Sequence, residues 1–525
     1  MLGVRQGTRR RGASWAVLLC SILSLGLAWA GPVGRDCRSA AGELGRIHFP
    51  NSGAPGAQKD FLRGMLLLHS FEYDSARSAF QAAERIDPGF AMAYWGEALS
   101  YNQTLWGEQD LASARAALAK LAPTAAGRAA KAGTAREREY LASVEQLYGK
   151  GDKAQRDARY SAALGALVRR YPDDLDARAL YALSILGLTS GNRNIPNYMR
   201  AAAQAEEVLQ IDPCHPGALH YLIHATDDPV HAPLGLQAAR RYSEVAPAAE
   251  HAQHMPSHIY FALGMWDDAI RSNIASVKIS RVEHRGGYHA LLWLIYAYLQ
   301  EDKRQQAEQS IRLIAHDVET DPDKENRARL AYARATWLVE TRGAAGADAR
   351  VPVDSSGITS IRYFVAQDFA RGITAGTDIA RARTALEQLQ ARIAAARAAP
   401  KGLKADWLDM VTDQELEEAT IMADALEGVI RYDEGDRAAG IAAVAQAVAA
   451  SEHLEFEYGP PWSVKPLDEL LGELLLADGR RTEATAAFQR TLAVYPNRRL
   501  AVEGLAASRG AMSTSPDRRY RQAQK

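Results

Sequence analysis

The chain has 525 residues, 47% hydrophobic and 24% charged, with a formal net charge of −1. That length exceeds one ordinary core and predicts several domains or an extended repeat array in a soluble globular protein. The first 30 residues carry four arginines (Arg5, Arg9, Arg10, Arg11) and no acid, so the remainder stands at −5; it has no basic stripe to neutralise phosphates, which excludes a nucleic-acid partner.

The N-terminus has the layout of a secretory signal over residues 1–30. Arg5 to Arg11 form a cationic region, Trp15 to Leu27 an apolar one, and Ala28-Trp29-Ala30 a cleavage site before Gly31. Thr8-Arg9-Arg10 resembles a twin-arginine signal, but no Phe-Leu follows, so the ordinary export route is preferred. Cys20 follows Leu19 where a lipoprotein signal wants a small residue, which argues against lipidation. No later run reaches the roughly 20 apolar residues that span a bilayer. The expected location is therefore periplasmic or secreted. Two cysteines remain, Cys37 and Cys214, and two readings stay open: one disulfide, or a free thiol beside His215.

Helical periodicity and Ala/Leu/Glu/Arg/Gln-rich composition run almost throughout, and strands are hard to find. From about Ala57 the residues Gly64, Ala76, Phe80, Ala83 and Pro88 fall at the small, aromatic and terminating positions of a 34-residue tetratricopeptide (TPR) unit. Small residues let two helices approach, the aromatic plugs the gap to the next pair, and proline ends the second helix. The frame recurs at Leu471, Gly472, Gly479, Ala484, Phe488 and Pro496, and partially at Tyr260, Gly264 and Ala269, then Tyr298 and Ala307. Pro172 and Pro213 close two more units. The predicted fold is an all-α, TPR-like right-handed solenoid of helical hairpins. Its expected divisions are an N-terminal solenoid over 31–340, a linker over 341–360, C-terminal repeats over 361–507 and a disordered tail over 508–525. Less regular helices are expected over Ala112–Tyr148 and Arg381–Ala398.

Four stretches carry a narrower resemblance. A-M-A-Y-W-G-E-A-L (91–99), H-P-G-A-L-H-Y-L-I-H-A-T-D-D-P (215–229), H-A-Q-H-M-P-S-H-I (251–259) and Y-G-P-P-W (458–462) are similar to a widespread group of exported bacterial TPR proteins. The resemblance implies fold and compartment and carries no reaction with it. Gln103-Thr104 follows Asn102 where the group often has His-Pro, and Gly53 sits where it often has Cys; any part those residues play in a site is altered here.

Nine of the 13 histidines fall within residues 212–289. His220/His224 and His254/His258 share the spacing i, i+4, which places two side chains one turn apart on a helix face. In TPR proteins the first helix of each unit lines a concave groove, mainly through unit positions 2, 5, 9, 12 and 13. Counting from Pro213 puts His220 at 5, His224 at 9, and Asp227 and Asp228 at 12 and 13. Counting back from Gly264 puts His251 at 2, His254 at 5 and His258 at 9, with His289 at 2 of the unit after. His69 falls at 13 of the first unit, and Trp95 and Asn102 at 5 and 12 of the second. Pro256 cannot donate to the carbonyl of Ala252, so the helix either kinks there or begins near Met255, which would leave His251 and His254 on a loop.

The predicted metal ligands are therefore His220, His224, His254 and His258, at least three of which should converge. His69, Trp95, Asn102, Asp227, Asp228, His251 and His289 are predicted ligand-binding neighbours. Three roles compete for the cluster. His and Asp on facing helices suit a divalent transition metal such as Zn, Cu, Ni or Fe. The same groups could line a groove for a peptide or small-molecule ligand with no cofactor, or could satisfy one another in the interior. A binding protein is the leading function and a metal-dependent enzyme using the His/Asp cluster is the alternative; whether it is an enzyme stays open. No H-E-x-x-H motif, Ser/His/Asp triad, phosphate loop or dinucleotide fingerprint is legible. His48, His231, His284, His316 and His453 are expected at the surface or in packing. Trp293, Tyr296 and Tyr298 are expected in the core, and Gly459-Pro460-Pro461-Trp462 as a rigid turn.

Overall fold

Gly64 and Phe80 show how the first hairpin closes. The helices Gln58–His69 and Tyr73–Ile86 lie side by side, and the next, Ala91–Leu99, packs on the second of them. The Phe80 ring fills the space between all three. A Cβ added at Gly64 would come within 2.7 Å of that ring, and one added at Gly96 within 2.4 Å. The last unit repeats the device, with Phe488 set against Gly472 and Gly504 at 2.9 and 2.3 Å. These are the small-residue and aromatic positions expected from the repeat frame. The computed structural model describes residues 37–40, 43–189, 193–282, 287–399, 408, 410–454, 456 and 458–510. The signal segment, His284 and the tail beyond residue 510 lie outside them.

Successive helices pack on their sequence neighbours from Gln58 to Ser508, so the architecture is an all-α solenoid of helical hairpins. Short polar side chains start many of these helices. Asp152, Asp174 and Asp378 each accept from the backbone N–H three residues on, and Thr134 and Thr412 form full capping boxes with Glu137 and Glu415. One feature departs from the all-helical expectation. Asn102–Gln103 pairs antiparallel with Glu108–Gln109 directly after the helix Ala91–Leu99. Among the described residues no helix is long and apolar enough to cross a membrane.

Two sets of long-range contacts position the histidine region. On the N-terminal side, a disulfide joins Cys37 to Cys214, resolving the two readings of that pair in favour of a bond. Ser39 N–H donates to Glu244 O at 3.0 Å, and Ala248 N–H to Glu43 O at 3.1 Å. On the C-terminal side, Arg498 is fully buried between Glu340, Glu469 and the Tyr296 hydroxyl at 2.7, 2.7 and 2.6 Å. Trp266 Nε1–H donates to Asn497 O at 3.0 Å, and Tyr332 Oη–H to Pro461 O at 2.8 Å. Gly264, at φ +65°, lies so close to Pro496 that a Cβ would sit 2.2 Å from its carbonyl oxygen. One apolar core runs from Ala182 to Ala501 and takes in Ala347, Ala349 and Val353 of the 341–360 segment.

Candidate metal centre

Three consecutive groups of helical turns supply the imidazoles. The helix Pro216–Thr226 carries His220 and His224 one turn apart. Pro256 divides the next into Glu250–His254 and Pro256–Ala262, and Met255 between them keeps helical φ and ψ of −53° and −37°. The proline thus breaks the helix while His251 and His254 remain on a helical turn; they are not on a loop. His289 lies in the first turn of Tyr288–Gln300.

The rings form one continuous chain. Centroids are 4.8 Å apart for His220–His224, 5.0 Å for His220–His251 and 5.4 Å for His224–His258. His254 follows, 5.1 Å from His258 and 4.6 Å from His289. His220, His224, His254 and His258 all lie on this chain, but the expected convergence of three of them on one point is not what it shows: each triad of donors along it holds only two of the four and is completed by His251, His289 or Asp227. Phe71 packs on His220 at 4.3 Å and on His224 and His251 at 5.6 and 5.5 Å. At the other end Trp293 stacks on His258 at 4.6 Å, and Tyr458 covers the same ring at 4.7 Å.

Hydrogen bonds on one side of the rings fix what the other side presents. His220 Nδ1 is 2.6 Å from the carbonyl oxygen of His69, which can only accept, so Nδ1 carries the proton and Nε2 the lone pair. His258 Nδ1 donates likewise to Asp227 Oδ2 at 2.9 Å. His254 Nδ1 is 2.7 Å from Asn273 Oδ1, and the Asn273 amide is oriented by donation from its Nδ2 to Ala269 O. His224 Nδ1 lies 3.8 Å from the same Asp227 oxygen. The Nε2 atoms of His220, His224, His251, His254 and His258 are all buried, and none has a hydrogen-bond partner among the described residues. An unpaired buried polar group costs about 1–3 kcal/mol. Five such nitrogens lie in one cluster, and the rings do not satisfy one another.

Burial, reinforced by the neighbouring imidazoles, holds His220, His251 and His254 well below the usual histidine range. Burial pulls His224 down to about 4, the nearby Asp227 carboxylate only partly opposing it. These four rings are therefore neutral at pH 7, the form that ligates metals. Burial alone would raise Asp227, but the Arg193 guanidinium 2.5 Å away, the bond from His258 and the nearby His224 ring outweigh it and keep it a carboxylate. Anchoring of Nδ1 on a carboxylate, a carbonyl or an amide oxygen is the outer-shell arrangement that orients metal-ligating histidines. Four groups of three donors have their ligating atoms within 4.8 Å of one another: His220/His224/His251, His254/His258/His289, His224/Asp227/His258 and His69/Asp176/His215.

The last of these differs in kind. His69 Nε2 is 3.0 Å from Asp176 Oδ1 and its Nδ1 is 2.9 Å from the Tyr221 hydroxyl. His215 Nδ1 accepts from Ala218 N–H at 3.2 Å, which leaves its Nε2 proton facing Asp176 at 3.5 Å. His69 is thus hydrogen-bonded at both nitrogens, whereas His215 Nε2 is buried and makes only this long approach to Asp176, so the trio is held chiefly by the bonds of His69. His69 serves the cluster through its backbone carbonyl.

Two predicted neighbours lie elsewhere. Trp95 is fully buried in the first core, against Phe49 and Tyr140 at 6.1 and 5.2 Å. Asn102 sits on the short strand pair because the helix ends at Leu99, and its amide is held by Thr104 and Gln109 at 3.0 and 2.8 Å. Asp228 turns away to receive Arg193 at 3.1 Å and His231 Nδ1 at 2.9 Å. His48, His316 and His453 are exposed, as expected. Tyr458, Asn273, Arg193, Phe71 and Asp176 were not singled out as site residues by sequence. Tyr458 and Phe71 arrive by tertiary packing. Asn273 has a faint signal, following Trp266, Ala269 and Ile270 on the buried face of its helix.

No protein-family model matches the sequence, and no curated protein matches it. Among solved structures, the Cut9–Hcn1 hetero-tetramer of the APC/C is similar over 88% of this chain and 78% of that chain, at 14% identity and a TM-score of 0.32. The TPR domain of P58(IPK) is similar over 90% of this chain and 99% of that one, at 12% identity and a TM-score of 0.21. The human IFIT1 dimer with m7Gppp-AAAA follows at 88% and 91%, 14% identity and a TM-score of 0.37. Superposition on all three is loose, and the assignment of fold rests on this chain's own hairpins and their glycine–phenylalanine plugs. The fold is a TPR-like solenoid.

Proposed function

We propose that the protein is an exported binding protein that holds a divalent transition metal in its histidine cluster. The observation that carries this is a run of adjacent imidazoles in which five buried Nε2 atoms have no hydrogen-bond partner among the described residues. Zn, Cu, Ni and Fe all accept imidazole ligands, and Asp227, Asn273 and the His69 carbonyl supply the outer shell. Export is supported by the signal layout over residues 1–30 and by the Cys37–Cys214 bond, which belongs to an oxidising compartment. A metal-dependent enzyme is the second reading. It is favoured by ligand number, because sets of three imidazoles leave a coordination position open, as catalytic zinc sites do.

Calorimetric titration of untagged protein with Zn, Cu and Ni tests the proposal. Wild type is expected to bind at least one of them, and His224→Ala/His258→Ala to bind none while remaining folded. A wild type that binds no metal would leave the cluster to a peptide or small-molecule ligand instead.

A further inference from the structure

The chain of rings is longer than one ion can serve. His220 and His289 stand at its ends, separated by His224, His258 and His254 at steps of 4.8, 5.4, 5.1 and 4.6 Å. A single ion with nitrogens at about 2.0 Å draws its ligating atoms to about 3.3 Å from one another and takes at most four of them in a tetrahedral site. It would leave at least one buried Nε2 still unpaired. The donors divide without remainder into two groups of three, His220/His224/His251 and His254/His258/His289. The ligating atoms within each group already lie within 4.8 Å of one another, so binding an ion asks for closure by at most about 1.5 Å.

Charge decides which ion. Imidazole ligates a metal as the neutral ring, so each group offers three nitrogens and no negative charge. The carboxylate touching them, Asp227, is already bound by Arg193 and by His258. Apolar and aromatic walls enclose the rest: Phe71 on the first group, Trp293 and Tyr458 on the second. The cost of transferring an ion from water to such surroundings grows as the square of its charge, so a monovalent ion costs about a quarter of a divalent one. Three neutral nitrogens also complete the coordination of copper(I), whereas Zn(II) wants a fourth ligand.

Resting on the metal reading above and going beyond it, we propose that the cluster holds two copper(I) ions side by side, each in a three-imidazole centre. His224 and His258 face one another at the junction, and Asp227 spans both, bonded to His258 and 3.8 Å from His224. One end of the pair is accessible, because His289 is exposed.

The test is copper(I) titration of the untagged mature protein under anaerobic, reducing conditions against a chromophoric chelator, with elemental analysis of the product. Two copper ions per chain are expected, and X-ray absorption should give about three nitrogens per copper at about 2.0 Å. His220→Ala/His251→Ala and His254→Ala/His289→Ala should each retain one copper, and each should keep the helical circular dichroism of wild type. One copper per chain, abolished by either variant, would overturn the pair and leave a single metal site standing. Binding of neither Cu(I) nor Zn(II) would overturn the metal reading itself. Zn(II) bound twice at equal or higher affinity would overturn the assignment to copper(I). If a variant does not fold, the wild-type stoichiometry and nitrogen count decide alone.

Discussion

Asp227→Asn removes one charge and almost no volume from the outer shell of the cluster. In the native protein Asp227 accepts from His258 Nδ1 at 2.9 Å, lies 3.8 Å from His224 Nδ1, and neutralises Arg193 at 2.5 Å, with essentially no exposure to water. Breaking a buried ion pair costs about 3–5 kcal/mol when the partner charge is stranded. Arg193 is not stranded, since Asp228 still holds it at 3.1 Å, so the lower end, about 3 kcal/mol, is expected in urea unfolding of the metal-free protein. The second consequence is separate. An amide at this position can offer its NH2 to His258, favouring the wrong tautomer and weakening ring basicity, and loss of such an outer-shell partner typically costs 10–100-fold in metal affinity. Competition titration reads that affinity independently of stability. A variant destabilised by about 3 kcal/mol whose metal affinity changed less than twofold would refute the reasoning, because Asp227 would then be a purely structural anchor for Arg193.

Other perturbations have equally definite outcomes. In metal-free protein the folded state refuses a proton at His224 until about pH 4, whereas the unfolded chain takes it near 6.5. Stability should therefore be full above pH 6.5 and fall as pH drops towards 4, by about 3 kcal/mol from this ring alone; a denaturant midpoint flat from pH 7.5 to 4.5 would contradict it. Reducing the Cys37–Cys214 bond opens a loop with a sequence separation of 177 residues, which the chain-entropy relation values at roughly 5 kcal/mol; melting with and without reductant measures the loss. Gly96→Ala forces a methyl to 2.4 Å from the Phe80 ring, so overpacking by about 1–3 kcal/mol is expected in urea unfolding.

What the sequence made legible follows the range of the interactions concerned. Gly64 with Phe80 and Gly472 with Phe488 are local pairs whose chemistry repeats at a fixed interval, so both outer hairpins could be placed from residues alone. The i, i+4 histidines were legible for the same reason. Asn102 was misplaced because the repeat count assumes an unbroken helix, whereas the strand pair from Asn102 to Gln109 interrupts it after Leu99, and Trp95, which precedes that break, is taken up by the first core against Phe49 and Tyr140. Tyr458 joins His258 from 200 residues away through the Arg498 and Tyr332 contacts, and no spacing rule reports such an approach. His215 lay inside the recognised histidine stretch, yet its pairing with Asp176 depends on the stacking of hairpins.

Metal content settles the central claim most directly. Untagged mature protein, equilibrated with copper or zinc and freed of excess ion, should retain metal at pH 7.5 and release it at pH 5, where protons compete for the imidazoles. His224→Ala/His258→Ala prepared in parallel should carry none. A wild type as free of metal as the double variant at pH 7.5 would contradict the account.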